Sequence, residues 1–251
     1  MVGLMTESIR VTQEGGTVSI FLNRPERRNA LSLALLARLN DVLSSEIPED
    51  TTAVIISGSG GTFSAGADFA DLTGTAEDLG MDDAIEKVTQ SILELPVPVI
   101  AAIDGPCMGG AVDLALSCDH RIASRQAIFQ LPAARLGLLY NPDAVVRMRQ
   151  RIGRDAVVRI LILGERLDAV AAMRAGIVSS VVEDASYLAA TELARTAAGN
   201  VRSSVAATKR LLNAIDSDDY DPAEWQEQRL ESLSSLERRL RVETVKKRHG
   251  Y

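Results

Sequence analysis

An α/β fold is what this chain predicts, and three observations predict it. Short runs rich in β-branched residues alternate with stretches of helical periodicity as far as residue 185. From Tyr187 onward only helical patterns follow, Ala-rich and with leucines at helical spacing. The 251 residues, 46% hydrophobic and 24% charged, have the composition of a globular protein with one large core or two smaller ones. Residues 1–185 therefore read as the α/β core and residues 186–251 as a C-terminal helical region, with no Pro/Gly/Ser linker between them.

Ile9 to Val11 and Thr17 to Leu22 read as two strands joined at Gly15-Gly16, a hairpin signal, with Pro25 ending the second. Leu31, Leu35, Leu39, Val42 and Leu43 fall at helical spacing, with Ser32 near the start of that helix. Ala53 to Ile56 is a short buried strand before the glycine-rich loop at 57–62. Phe63 to Asp71 is a turn entering a short helix, and Met81 to Leu95 is an amphipathic helix ended by Pro96. Val97 to Ile103 is an apolar strand, and a small-residue helix covers Ala111 to Ser117. His120 to Ala123 and Ala127 to Phe129 are strands, and 132–140 is a loop. Helices follow from Pro142 to Gln150, Ala156 to Leu163 and Asp168 to Ala175, with Gly164 and Gly176 at the ends of the last two. A last strand lies in 176–182. The run from Pro222 to Lys247 sets Leu230, Leu233, Leu236 and Leu240 on one face, as a lid on its own core or a surface for a neighbouring subunit.

Composition removes several function classes. A net charge of −7 argues against a nucleic-acid surface. No apolar run approaches the ~20 residues that span a bilayer, and the N-terminus lacks a basic-then-apolar leader, so a cytoplasmic protein is expected. Cys107 and Cys118 make no disulfide framework and read as buried, reduced thiols. With only His120 and His249 there is no histidine/cysteine cluster to hold a metal, and none is expected. The 58–61 loop lacks the Gly-Lys-Ser/Thr of a phosphate loop, and Ser64 lacks a nucleophile elbow and a histidine.

The stretch Pro106-Cys107-Met108-Gly109-Gly110-Ala111-Val112-Asp113 carries the most specific chemistry. Glycines at a strand-to-helix junction let a backbone approach a ligand without a Cβ between them. The unpaired N–H groups of the new helix, with its dipole, then favour developing negative charge. Asp113 follows Gly110 by three residues, which puts a carboxylate base and an oxyanion donor in one expected space.

Five segments, in order, resemble the crotonase (enoyl-CoA hydratase/isomerase) superfamily. They are Asn23-Arg24-Pro25-Glu26-Arg27-Arg28-Asn29-Ala30-Leu31, Phe63-Ser64-Ala65-Gly66-Ala67-Asp68, Gly109 to Ala115, Gly164 to Ala169 with Ala175 to Val178, and the Lys246-Lys247-Arg248 tail. The resemblance implies a spiral core of ββα turns with C-terminal helices that build trimers or dimers of trimers. It implies an acyl-CoA thioester substrate and no separate cofactor, coenzyme A being part of the substrate. It places the oxyanion-hole amides at Ala67 and Gly110, Ala65 and Asp68 along the coenzyme, and Arg28 and Lys247 near its phosphates. Two preorganised N–H groups would stabilise the enolate formed next to a thioester, each worth roughly 10²–10³ in rate.

Family hydratases carry two glutamates. Here the first position holds Asp113, one methylene shorter, and the second holds Ala133. The pattern thus departs from that of an efficient hydratase. A single carboxylate at Asp113 still leaves double-bond isomerisation open. Leu136-Gly137-Leu138-Leu139-Tyr140-Asn141 resembles the methylmalonyl-CoA decarboxylase branch, in which Tyr140 would orient the leaving carboxylate. A non-catalytic acyl-CoA binding protein is the third reading. Against these roles stand a dipole-complementing Asp113 and a merely packed Tyr140.

Overall fold

The computed structural model describes residues 7–249, so the first six residues of the expected leaderless N-terminus lie outside the described residues. Strand β1 (Ile9–Glu14) turns through Gly15, at φ +56°, into β2 (Thr17–Leu22), and the two pair antiparallel. Beyond this hairpin the main sheet is parallel: β2 pairs with β3 (Ala53–Gly58), then β4 (Val99–Ile103), β6 (His120–Ser124) and β9 (Ser180–Val182). All five residues of β4 are buried, as a central parallel strand covered on both faces requires. One face meets α1 (Leu33–Asp41), α2 (Leu79–Glu94) and α3 (Gly110–Ser117). The other carries Ile55, Ile100 and Ile122 against Ala190 and Ala194 of α6 (Ser186–Ala197).

Pro106–Met108, read from sequence as the approach to a turn, is a strand, β5. Its proline stands first, where a missing N–H is tolerated. It pairs in parallel with β7 (Ile128–Gln130), which pairs antiparallel with the short β8 (Leu167–Asp168) to form a second sheet. The chain thus alternates between sheets, β4 to β5, then β6 to β7, which is the spiral of ββα turns that the sequence implied.

The C-terminal part differs in detail. Helix α4 (Pro142–Val157) is interrupted at Gly153, at φ 75° and ψ 169°, and α5 spans Ala169–Arg174. Helix α7 (Arg202–Asp216) docks on α2 through the buried Lys209, whose Nζ donates to the Ile92 and Val97 carbonyls and pairs with Asp119 at 2.8 Å. The single amphipathic run expected at 222–247 is instead two helices, α8 (Pro222–Ser234) and α9 (Leu236–Arg248). Ser235 between them is extended, at ψ 145°, and its hydroxyl caps α9 by accepting from the Arg238 amide. All four of Leu230, Leu233, Leu236 and Leu240 are exposed. Among the described residues no helix is long and apolar enough to cross a membrane.

Candidate active site

Two turns are brought side by side by one backbone pairing. Ser64 bridges Cys107 in parallel register, with the Ser64 amide donating to the Pro106 carbonyl and the Met108 amide donating to the Ser64 carbonyl, both at 3.0 Å. Ala67 lies three residues beyond Ser64, and Gly110 lies three beyond Cys107. The two residues therefore leave the pairing at equivalent positions. Between them the backbones touch: a Cβ on Gly66 would stand 2.8 Å from the Met108 carbonyl oxygen, and one on Gly109 would stand 3.7 Å from the Gly66 Cα. Gly66 and Gly109 also need positive φ, +88° and +54°.

The neighbouring amides are spent. Gly66 N–H donates to Ser64 Oγ at 3.2 Å, Asp68 N–H to the Leu31 carbonyl at 2.9 Å, and Gly109 N–H to the Gln130 carbonyl at 2.9 Å. Among the described residues the Ala67 and Gly110 amides have no protein acceptor. Gly110 is the first residue of α3, where an N–H has no partner in the helix. Both residues line one cavity of about 820 Å³, bounded by Ala65, Met108, Ala133 and Tyr140 and by the first turns of α2. That arrangement can hold an oxygen as it becomes anionic.

The first turn rests on a second loop. Arg28 and Asn29 are left-handed, at φ 51° and 54°, and the Arg28 carbonyl accepts from the Ala65 amide. The buried Asn29 donates through Nδ2 to the Ser59 and Thr62 carbonyls. Asp68 pairs with Arg24 at 2.9 Å, which holds its carboxyl below the usual carboxylate range, and caps the short helical turn at 69–71. Ala65 lines the cavity as expected. The Arg28 side chain is exposed, and Lys247 lies exposed in the last turn of α9, away from any hydrogen bond or ion pair to the cavity among the described residues.

Asp113 departs from expectation. It is 1% exposed and does not line the cavity. Its carboxylate faces Arg147 of α4, with Nη2 at 3.1 Å from both oxygens, so the base and the oxyanion donor do not share one space. Arg147 also binds both oxygens of Glu86, at 3.2 and 3.0 Å. Burial pushes the Asp113 carboxyl up to about 6 against the opposing pull of Arg147. Ala133, 4% exposed, forms cavity wall at the second acid position. Tyr140 lines the cavity with no hydrogen-bond partner among the described residues, and burial, then Asp113 and Asp82, holds its phenol well above the usual range. Cys107 and Cys118 are free and buried, and burial raises both thiols.

The residues missed in the sequence lie on α2. Leu79, Met81, Asp82 and Ile85, from its first two turns, line the cavity. Ile85 sits on the oxyanion turn: a Cβ at Gly110 would meet its Cδ1 at 2.6 Å. That contact explains why Gly110 has no side chain.

Comparison with known proteins now decides the family. A family model described as enoyl-CoA hydratase/isomerase matches residues 12–246. The chain belongs to the enoyl-CoA hydratase/isomerase family. It is 33% identical over 214 residues to a carnitinyl-CoA dehydratase of Citrobacter koseri, covering 84% of this chain and 82% of that one. It is 32% identical over 230 residues to a mitochondrial Δ(3,5)-Δ(2,4)-dienoyl-CoA isomerase of Mus musculus, covering 85% and 70%. The solved structure of Pseudomonas aeruginosa DspI superposes with a TM-score of 0.86 at 29% identity, covering 97% and 95%. This member of the enoyl-CoA hydratase/isomerase family is accordingly an acyl-CoA enzyme with the crotonase fold.

Proposed function

We propose that this enzyme moves a proton next to the carbonyl of an enoyl-CoA thioester, shifting a double bond, rather than adding water across it. The observation that carries the reading is the pair of unspent amides, Ala67 and Gly110, side by side on one cavity. Removing an α-proton from a 3-enoyl thioester leaves a dienolate whose charge rests on the carbonyl oxygen. The two N–H groups stabilise it without reorganising, because their turns are fixed by the Ser64–Cys107 pairing. Hydration needs two positioned acid–base groups, and at the positions the family uses, one is Ala133 and the other is held by Arg147. Asp113 in this reading fixes α3 against α4 and α2 rather than touching substrate. Ala65 and Asp68 along the coenzyme, Arg28 and Lys247 at its phosphates, and a trimer or dimer of trimers built on α8 and α9 belong to the same proposal.

One observation favours a second reading. Tyr140 lines the cavity with no hydrogen-bond partner among the described residues, and its phenol could orient a carboxylate that leaves as carbon dioxide and generates a thioester enolate. Turnover of 3-hexenoyl-CoA, crotonyl-CoA and methylmalonyl-CoA, beside a binding titration of each, separates the cases. Isomerisation of 3-hexenoyl-CoA faster than the other two reactions is expected. Decarboxylation lost in Tyr140→Phe supports the second reading, and binding of all three without turnover rejects catalysis.

A further inference from the structure

We propose that Asp82 is the proton-carrying group of this site, a catalytic residue supplied by α2 in place of the carboxylates at the two positions the family resemblance points to. The inference rests on the isomerisation reading above and names the base that reading leaves open.

Three placements support it. Asp82 lines the same cavity as Ala67 and Gly110 and is half-buried there. It lies one turn before Ile85, on the same face of α2, about 4.5 Å along the axis. Ile85 in turn is seated directly on Gly110, as the 2.6 Å approach of its Cδ1 to a Gly110 Cβ requires. Asp82 therefore stands on the cavity wall one helical turn from the residue that packs on the oxyanion donor.

The remaining carboxylates near the cavity are engaged. Asp78 accepts from the Thr73 amide and hydroxyl and from the Gly74 amide. Glu86 and Asp113 are held by Arg147. Among the described residues Asp82 has no hydrogen bond or ion pair, so its oxygens are available to substrate. Burial, then Asp83 and Asp78, raises its carboxyl above the ordinary aspartate value, in the direction that suits a base returning its proton. The step balances within the substrate. Asp82 takes the α-proton of a 3-enoyl thioester, the electron pair enters the dienolate, and the Asp82 carboxyl, free to exchange its proton with solvent, returns one proton to the γ-carbon. The double bond moves from β–γ to α–β with no other reactant.

The test is isomerisation of trans-3-hexenoyl-CoA by the full chain, followed by the absorbance of the conjugated product and by deuterium uptake from D₂O. Asp82→Asn is expected to lower kcat by about 10²-fold or more while the Kd for the thioester stays within twofold. Asp82→Glu should recover part of the rate, and Glu94→Gln, an equal change of charge at the exposed far end of α2, should match wild type. Asp82→Ser serves as a second deletion of the carboxyl, with melting temperature checked for each variant. Retention of a third or more of kcat in folded Asp82→Asn or Asp82→Ser overturns this assignment and leaves the isomerase reading standing. A wild-type chain that binds the thioester but neither isomerises it nor takes up deuterium overturns both.

Discussion

Arg147 and Asp113, 34 residues apart in the chain, form a buried pair in which one guanidinium nitrogen lies 3.1 Å from both carboxylate oxygens. The same guanidinium grips Glu86, so a single cation ties α4 to both α3 and α2 behind the oxyanion turn. Removing it strands a carboxylate that is 1% exposed. Arg147→Met should therefore cost about 3–5 kcal/mol of stability at neutral pH in urea unfolding. The loss should shrink as pH falls through about 6, where Asp113 takes up its proton. A loss under about 1 kcal/mol at neutral pH would show that the pair holds nothing together.

Asp113 also sets a pH dependence of known sign. Its folded value, about 6, stands above its ordinary 3.8, so the folded chain binds this proton more tightly than the unfolded chain. The stabilising contribution is complete below about pH 4 and is lost as pH rises through about 6. Asp113→Asn removes that titration. Urea unfolding of both proteins across this window should show the variant gaining on wild type as pH rises. A difference that is constant from pH 4 to 7 contradicts the assignment.

The contact between the amide-bearing turns predicts a sensitive glycine. Alanine at Gly66 would be left-handed and would press its Cβ to 2.8 Å from the backbone carbonyl of Met108, which cannot swing aside. Gly66→Ala should cost roughly 1–3 kcal/mol of stability and, by parting Ala67 from Gly110, at least tenfold in kcat. Thermal melts and turnover on the same sample check this, and wild-type turnover in a destabilised variant would separate the two effects.

Much of this architecture is legible in the residues, and the rest is hidden for identifiable reasons. The β1–β2 hairpin, the buried β4 and the Gly109–Gly110 turn announce themselves because periodicity and turn chemistry are local. The Ser64–Cys107 bridge that makes the two turns converge has no such signal, since a pairing one residue long leaves no alternation to read. Arg147 sits among Arg149, Arg151 and Arg154, a pattern that reads as a solvated helix face until tertiary contact turns Arg147 and Arg151 inward. Asp82 is masked by Asp78 and Asp83, because acidic residues in a first helical turn ordinarily complement the dipole. Ser235 stops a helix whose leucine spacing runs on without interruption.

Ala133 offers a gain-of-function test of why hydration is absent from the proposed reaction. It lines the cavity at the position where the resemblance expects an acid. Ala133→Glu should raise crotonyl-CoA hydration by at least tenfold over wild type, within the ~10²–10⁴ that a positioned acid–base group supplies. Unchanged hydration in a folded variant that still binds crotonyl-CoA would show that another wall of the cavity excludes the water.

The polarisation of the substrate carbonyl tests the paired amides most directly. Infrared spectra of a ¹³C-carbonyl-labelled thioester should show the carbonyl band moving to lower frequency on binding, as two N–H groups draw charge onto the oxygen. The shift should shrink when Gly110→Pro removes one of the donors. A band at its free-solution frequency in the bound complex would contradict the account, because the Ala67 and Gly110 amides would then not be holding the carbonyl.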